Sequence, residues 1–150
     1  MADFSGKVID ILLVEDNPGD VRLAQEALKE SKVRNKLYVV EDGVEAMAFL
    51  RRQDKYANSP QPDLIFLDLN LHRKSGREVL TEIKTDNDLK KIPVVVLTVS
   101  KSGEDIERSY ANFANAYVSK PLDFEQFMIA MKAIESFWLT IVKLPSKNGR

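Results

Sequence analysis

Apolar positions along the chain fall into short solid blocks, separated by longer stretches in which they recur every three or four residues. Val8–Val14 is nearly continuous apolar sequence, and Leu64–Leu67 and Val94–Leu97 are unbroken. Ala116–Val118 is a shorter block, and Leu37–Val40 reads as a further strand, more exposed at its start. Blocks this short, rich in β-branched side chains and without polar alternation, predict the strands of a parallel sheet covered on both faces.

The stretches between the blocks carry helix start signals. Asn17 precedes Pro18, a cap followed by proline at the first helical position. Asp42 with Glu45, and Ser75 with Glu78, have capping-box spacing. Ser102 is placed to cap a fourth helix, and Asp123 with Gln126 a fifth, with Leu122 and Phe127 as its hydrophobic staple. Five strand–helix units predict a doubly wound α/β sandwich with five helices and the flavodoxin-like strand order 2-1-3-4-5. One domain is expected over 1–150, with its core at about 8–135, a C-terminal helix running to about 144 and a loose tail at Pro145–Arg150. The longest loop, Asp54–Pro62, is polar with two prolines and is expected away from the chemistry.

Composition narrows the function classes. The 150 residues are 44% hydrophobic and 30% charged, the balance of a domain with a sizeable core. A net charge of -1 gives no basic footprint for nucleic acid and no polybasic membrane signal. Cysteine is absent, which excludes disulfides, thiolate catalysis and cysteine-ligated zinc. The segment MADFSGKVID lacks a basic stretch followed by an apolar signal core, and no apolar run approaches a membrane span, so a cytoplasmic protein is expected.

In doubly wound sheets the ligand site lies beyond the carboxyl ends of the strands. The first strand ends in Glu15 and Asp16, the third in Asp68, the fourth in Thr98 and the fifth in Ser119–Lys120–Pro121. Three carboxylates, a hydroxyl and an ammonium therefore converge on one rim. Clustered carboxylates repel one another, and a divalent cation relieves the repulsion. Oxygen-only ligands favour a hard ion, Mg²⁺ rather than zinc. An ionised aspartate can also act as a nucleophile and form an aspartyl-phosphate. The metal would then neutralise one side of the phosphoryl group and Lys120 the other, with Thr98 bonded to a third oxygen.

The stretches ILLVEDNPGDVRL, DLIFLDLNL, PVVVLTVS and YVSKP, in that order, resemble a response-regulator receiver domain, the phosphoacceptor half of two-component signalling. The resemblance covers about residues 8–135. It implies that Asp68 is the phosphoacceptor, that Asp16 is a direct metal ligand with Glu15 beside it, and that the backbone carbonyl of Asn70 completes the protein's metal ligands. It further implies Thr98 and Tyr117 as a switch pair and Lys120, before a cis bond to Pro121, as the phosphate-binding lysine. EDNPGDVRL, LTEIKTDNDLKKIPVVVLT and IESFWLTIVKLP are similar to the small regulators that partner cyanobacterial phytochromes, which implies a phytochrome histidine kinase as phosphodonor.

Two positions depart from the pattern. The related loop carries proline after LNL, where this chain has His72; losing proline frees φ and restores an N–H. Val99 is bulkier than the small residue usual after Thr98, which leaves two readings, narrower access to the phosphoryl group or strand packing alone. His72 itself reads as a solvated loop residue.

Other functions fit less well. An aspartate-nucleophile phosphatase needs a second aspartate two residues after the first, and Asn70 cannot transfer a proton there. A flavin carrier needs a hydroxyl- and glycine-rich phosphate loop, and EDNPGD is acidic where the phosphate would lie. A phosphorelay intermediate remains compatible with every residue above.

The end of the chain adds a further expectation. Phe127, Met131, Ile134, Trp138 and Ile141 form one apolar stripe, while Phe137, Leu139 and Val142 add apolar surface outside it. A helix apolar nearly all round is buried or binds something. A homodimer with Phe137 and Trp138 as interface anchors is expected.

Overall fold

The computed structural model describes residues 8–31, 34–71, 73–98 and 116–119, together with 125, 127–129 and 132; at 98 and 116–119 the description is of the backbone. The element order is β1 (Ile9–Val14), α1 (Pro18–Lys29), β2 (Asn35–Val40), α2 (Gly43–Leu50), a 3₁₀ turn (Asp54–Tyr56), β3 (Leu64–Asp68), α3 (Gly76–Thr85), β4 (Val94–Thr98) and β5 (Ala116–Ser119). The strands form one parallel sheet in the order β2-β1-β3-β4-β5, as the sequence predicts. The residues at 125, 127–129 and 132 are helical and fall where the sequence predicts the last helix. The helix expected after Ser102 and the apolar extension beyond Ser136 lie outside the described residues.

The solid apolar blocks are explained by cover on both faces. Successive residues of a strand point to opposite sides, so both parities must be apolar when both sides are buried. One core takes Leu12, Val14, Ile65, Leu67, Val94 and Val96 against α2 and α3. The other takes Ile11, Leu13, Leu64, Phe66, Val95 and Leu97 against α1 and Phe127. Phe127 is fully buried, its ring edge-on to Phe66 at 5.6 Å between centroids. Of the stripe expected to face the sheet, Phe127 does so; Met131, Ile134, Trp138 and Ile141 lie outside the described residues. β2 is an edge strand, which is why its block is weaker, and it starts at Asn35, two residues before the apolar run. The Asn35 amide donates to the Leu28 carbonyl at 3.0 Å and ties that edge to the end of α1.

Three of the predicted caps form as expected, while Ser102 and Asp123 lie outside the described residues. Asn17 accepts from the Asp20 N–H at 3.0 Å, Asp42 from Glu45 at 2.8 Å and Ser75 from Glu78 at 3.2 Å. Each side chain satisfies an amide that the first helical turn leaves without an intrahelical acceptor. The loop from Asp54 differs from expectation, because it opens with a 3₁₀ turn. Tyr56 from that turn stacks near Phe49 at 5.3 Å and donates its hydroxyl to the Glu45 carboxylate. The turn thus folds back to the first turn of α2, where Glu45 also lies 3.9 Å from Arg73 of the loop after β3.

Candidate functional site

The strand order reverses direction around β1, whose neighbours are β2 and β3. The helices that follow β1 and β3 therefore leave to opposite faces, and a crevice opens where the two strands end. Val14 and Leu67 are register partners, so the residues just beyond them emerge side by side. Glu15 and Asp16 follow one strand, and Asp68 is the last residue of the other.

The structure brings these three carboxylates together. A carboxylate oxygen from each lies within 4.8 Å of the others. Glu15 is fully buried and Asp68 is 2% exposed, while Asp16 is half-buried. At such spacing each pair repels by about 3 kcal/mol for an effective dielectric constant of about 20. That is a large fraction of a domain's net stability, about 5–15 kcal/mol. The donor set is all oxygen, clustered and mostly shielded from water, and fits a hard divalent cation.

Glu15 and Asp68 are held in place by backbone. The Asn17 N–H donates to Glu15 Oε2 at 3.1 Å, which turns that side chain back along the first turn of α1. The Glu15 N–H donates to the Val40 carbonyl at 3.0 Å and continues the sheet pairing past the end of β1. The Asn70 N–H donates to Asp68 Oδ1 at 2.9 Å, which fixes the rotation of the carboxylate. The Leu69 N–H donates to the Leu97 carbonyl at 3.0 Å, so β3 remains pinned to β4 one residue beyond Asp68.

Other sequence-predicted residues fall around this cluster. Thr98 ends β4, one step beyond Leu97, the register partner of Asp68. It pairs with Ser119 at the end of β5, and Tyr117 pairs with Val96 two residues earlier. Backbone register thus brings Thr98 and the end of β5 to the same rim as Asp68. Lys120, Pro121, His72, Val99, Phe137 and Trp138 lie outside the described residues.

Sequence reasoning missed the second set of contacts around the rim. Gly76, the first residue of α3, packs on the backbone of Asp68, and a Cβ there would sit 2.1 Å from the Asp68 carbonyl oxygen. Gly43, the first residue of α2, packs in the same way on Lys74, with a Cβ 2.2 Å from its carbonyl oxygen. Glycine directly after a capping residue was the available signal at both places. Arg73, at φ 63°, reaches Asp42 with two nitrogens: Nε to Oδ2 at 2.9 Å and the terminal nitrogen to Oδ1 at 3.1 Å. A pair 31 residues apart has no signature in a single sequence.

Comparison with known proteins gives this geometry a family. Residues 11–132 match the model of the response regulator receiver domain. Response regulator Rcp1 of Synechocystis sp. is 50% identical over 146 residues, covering 97% of this chain and 99% of that protein. The Mn²⁺-bound crystal structure of Rcp1 superposes with a TM-score of 0.83 at 51% identity, over 92% of this chain and 99% of that one. The phosphorylated cyanobacterial phytochrome response regulator RcpA superposes with a TM-score of 0.84 at 52% identity, with the same coverage. The sheet, the acidic cluster at its carboxyl edge and these matches lead to one conclusion: the chain belongs to the response-regulator receiver family.

Proposed function

We propose that this protein takes a phosphoryl group onto Asp68 from a histidine kinase, with Mg²⁺ bound beside it, and so changes the surface it offers to other proteins. The observation that carries the reading is the meeting of Glu15, Asp16 and Asp68 within 4.8 Å at the ends of β1 and β3.

In the proposed transfer, an oxygen of the Asp68 carboxylate attacks the phosphorus of a phosphohistidine. The new P–O bond forms as the P–N bond breaks, and the departing imidazole nitrogen takes the electron pair and then a proton. Asp16 and Asp68 would hold the cation directly together with the Asn70 carbonyl, and Glu15 would act from behind them. Bound there, Mg²⁺ neutralises charge on the phosphoryl oxygens and on the carboxylates. The Asn70 N–H holds Asp68 at a fixed rotation, which lowers the cost of aligning the nucleophile. Lys120 would neutralise the far side of the phosphoryl group. Thr98 would bond one of its oxygens and, with Tyr117, couple the modification to the surface around β4 and β5.

The 50% identity to Rcp1 and the 52% identity to RcpA, a cyanobacterial phytochrome response regulator, support a phytochrome as the kinase. The proposed setting is the cytoplasm, with neither nucleic acid nor membrane as a partner. Among the described residues no helix is long and apolar enough to cross a membrane. The apolar residues outside the sequence stripe, Phe137 among them, and the neighbouring Trp138 support a homodimer through the C-terminal segment.

Phosphotransfer tests the reading. Cyanobacterial phytochrome kinase, autophosphorylated with labelled ATP, is mixed with this protein with and without Mg²⁺. Label should move to this protein only with the cation present. Retention of all label on the kinase, across several histidine kinases, would contradict the proposal.

A further inference from the structure

Seven residues, Leu69 to Ser75, link Asp68 to α3, and the proposed metal-ligating carbonyl of Asn70 is among them. The start of this loop is fixed by the Asn70 N–H on Asp68 and its end by Gly76, whose N–H donates to the Leu69 carbonyl at 3.2 Å. Its middle is held from another element. Arg73 adopts a left-handed φ of 63°, a conformation that L-residues with a side chain rarely keep unless their surroundings impose it. Its guanidinium forms a two-nitrogen fork on Asp42.

Asp42 is a rigid anchor for that fork. It is the N-cap of α2, its Oδ1 already accepts the Glu45 N–H at 2.8 Å, and its side chain is only 16% exposed. Beside it the Lys74 backbone lies on Gly43 with no room for a Cβ. Lys74 also pairs through its ammonium with Glu82 of α3. The loop after the proposed phosphoacceptor is therefore strapped to the start of α2, not left to span freely to α3.

We propose that the Arg73–Asp42 ion pair is a positioning device for the metal site, holding the Leu69–Ser75 loop in the conformation that presents the Asn70 carbonyl to the cation. Arg73 does not touch the cation; it acts through the loop. The inference rests on the metal reading given above. An exposed ion pair adds little to global stability, because its long side chain is ordered at a cost and water screens it. A loop in equilibrium between open and strapped forms answers to the same small energy differently. Binding that needs the strapped form weakens in proportion to the fraction of protein that lacks it.

The test uses the full chain, MgCl₂ alone as the probe, and five proteins: wild type, Arg73→Ala, Arg73→Lys, Asp42→Asn and the double variant Arg73→Ala/Asp42→Asn. Asparagine at 42 still caps α2 but loses the charge. Titration calorimetry gives Mg²⁺ affinity, and amide hydrogen exchange of 69–74 in the metal-free protein reports the strap independently. Arg73→Ala should bind Mg²⁺ about five-fold more weakly with a nearly unchanged melting temperature. Its loop amides should exchange faster before any metal is added. Lysine should restore part of the affinity, since it keeps the charge without the fork. The double variant should be no worse than the weaker single variant. Unchanged affinity and exchange in Arg73→Ala would overturn the proposal, as would losses that simply add in the double variant. Wild type that binds no Mg²⁺ would contradict the metal reading, while faster exchange in Arg73→Ala would still establish the strap.

Discussion

Gly76 lies against the carbonyl of Asp68, so close that a Cβ at 76 would sit 2.1 Å from that oxygen and 2.5 Å from the Leu69 Cα. The neighbours are backbone, held by the β3–β4 pairing, and cannot swing aside as a flexible side chain could. The helix that follows the proposed phosphoacceptor thus begins in contact with the residue's own peptide unit. Alanine at 76 must push α3 away or move Asp68. Gly76→Ala should destabilise the protein by about 3 kcal/mol, at the upper end of overpacking costs, although alanine is the better helix former. Urea unfolding of the two proteins measures this, and a loss under about 1 kcal/mol would mean that α3 shifts at little cost.

Tyr56 and Glu45 make a second pair whose strength depends on pH. The hydroxyl donates to the Glu45 carboxylate, and this bond, with Lys55 adding to it, holds the Glu45 carboxyl below its ordinary 4.5. Burial first, then the Glu45 bond, pushes the Tyr56 hydroxyl above its ordinary 10.0. A depressed carboxyl contributes stability that is full above pH 4.5 and fades as pH falls through its folded-state value. A raised phenol contributes stability that is full below pH 10.0 and fades as pH rises through its own folded-state value. Tyr56→Phe keeps the ring near Phe49 and removes the bond. It should cost about 1 kcal/mol between those limits, with the gap to wild type narrowing on either side. A gap that stays constant from pH 3 to pH 8 would show that the Glu45 charge has no part in it.

The proposed interface anchors, Phe137 and Trp138, are tested in solution. Sedimentation of wild type, Phe137→Ala and Trp138→Ala, each with and without phosphodonor, should give a dimer for wild type. Truncating an interface anchor should weaken association by about thirty-fold. Wild type that stays monomeric at high micromolar concentration in both states would contradict the dimer.

Most of the frame was readable from local pattern. The blocks at Val8–Val14, Leu64–Leu67 and Val94–Leu97 became β1, β3 and β4 because a doubly covered parallel strand must be apolar at every position. Asn17, Asp42 and Ser75 became caps because the first turn of a helix leaves amides that a short polar side chain can satisfy. Glu15, Asp16 and Asp68 were legible as a cluster because strand ends in a parallel sheet share one edge. What was not legible depends on distant elements meeting at particular distances. Tyr56 reaches Glu45 only because a polar loop turns into one 3₁₀ turn, and Arg73 reaches Asp42 only through a left-handed backbone. In Asp42–Glu45 the capping-box spacing was right, but the glutamate side chain is engaged with Tyr56 and Lys55.

The site of phosphorylation is the central claim, and intact-mass spectrometry tests it most directly. Wild type and Asp68→Asn are incubated with acetyl phosphate, with Mg²⁺ or with a chelator, and weighed before and after hydroxylamine. Wild type with Mg²⁺ should gain the mass of one phosphoryl group and lose it to hydroxylamine, as an acyl phosphate does. The chelated sample and Asp68→Asn, which lacks the carboxylate nucleophile, should gain none. Mg²⁺-dependent, hydroxylamine-sensitive phosphorylation of Asp68→Asn at the wild-type rate would contradict the assignment.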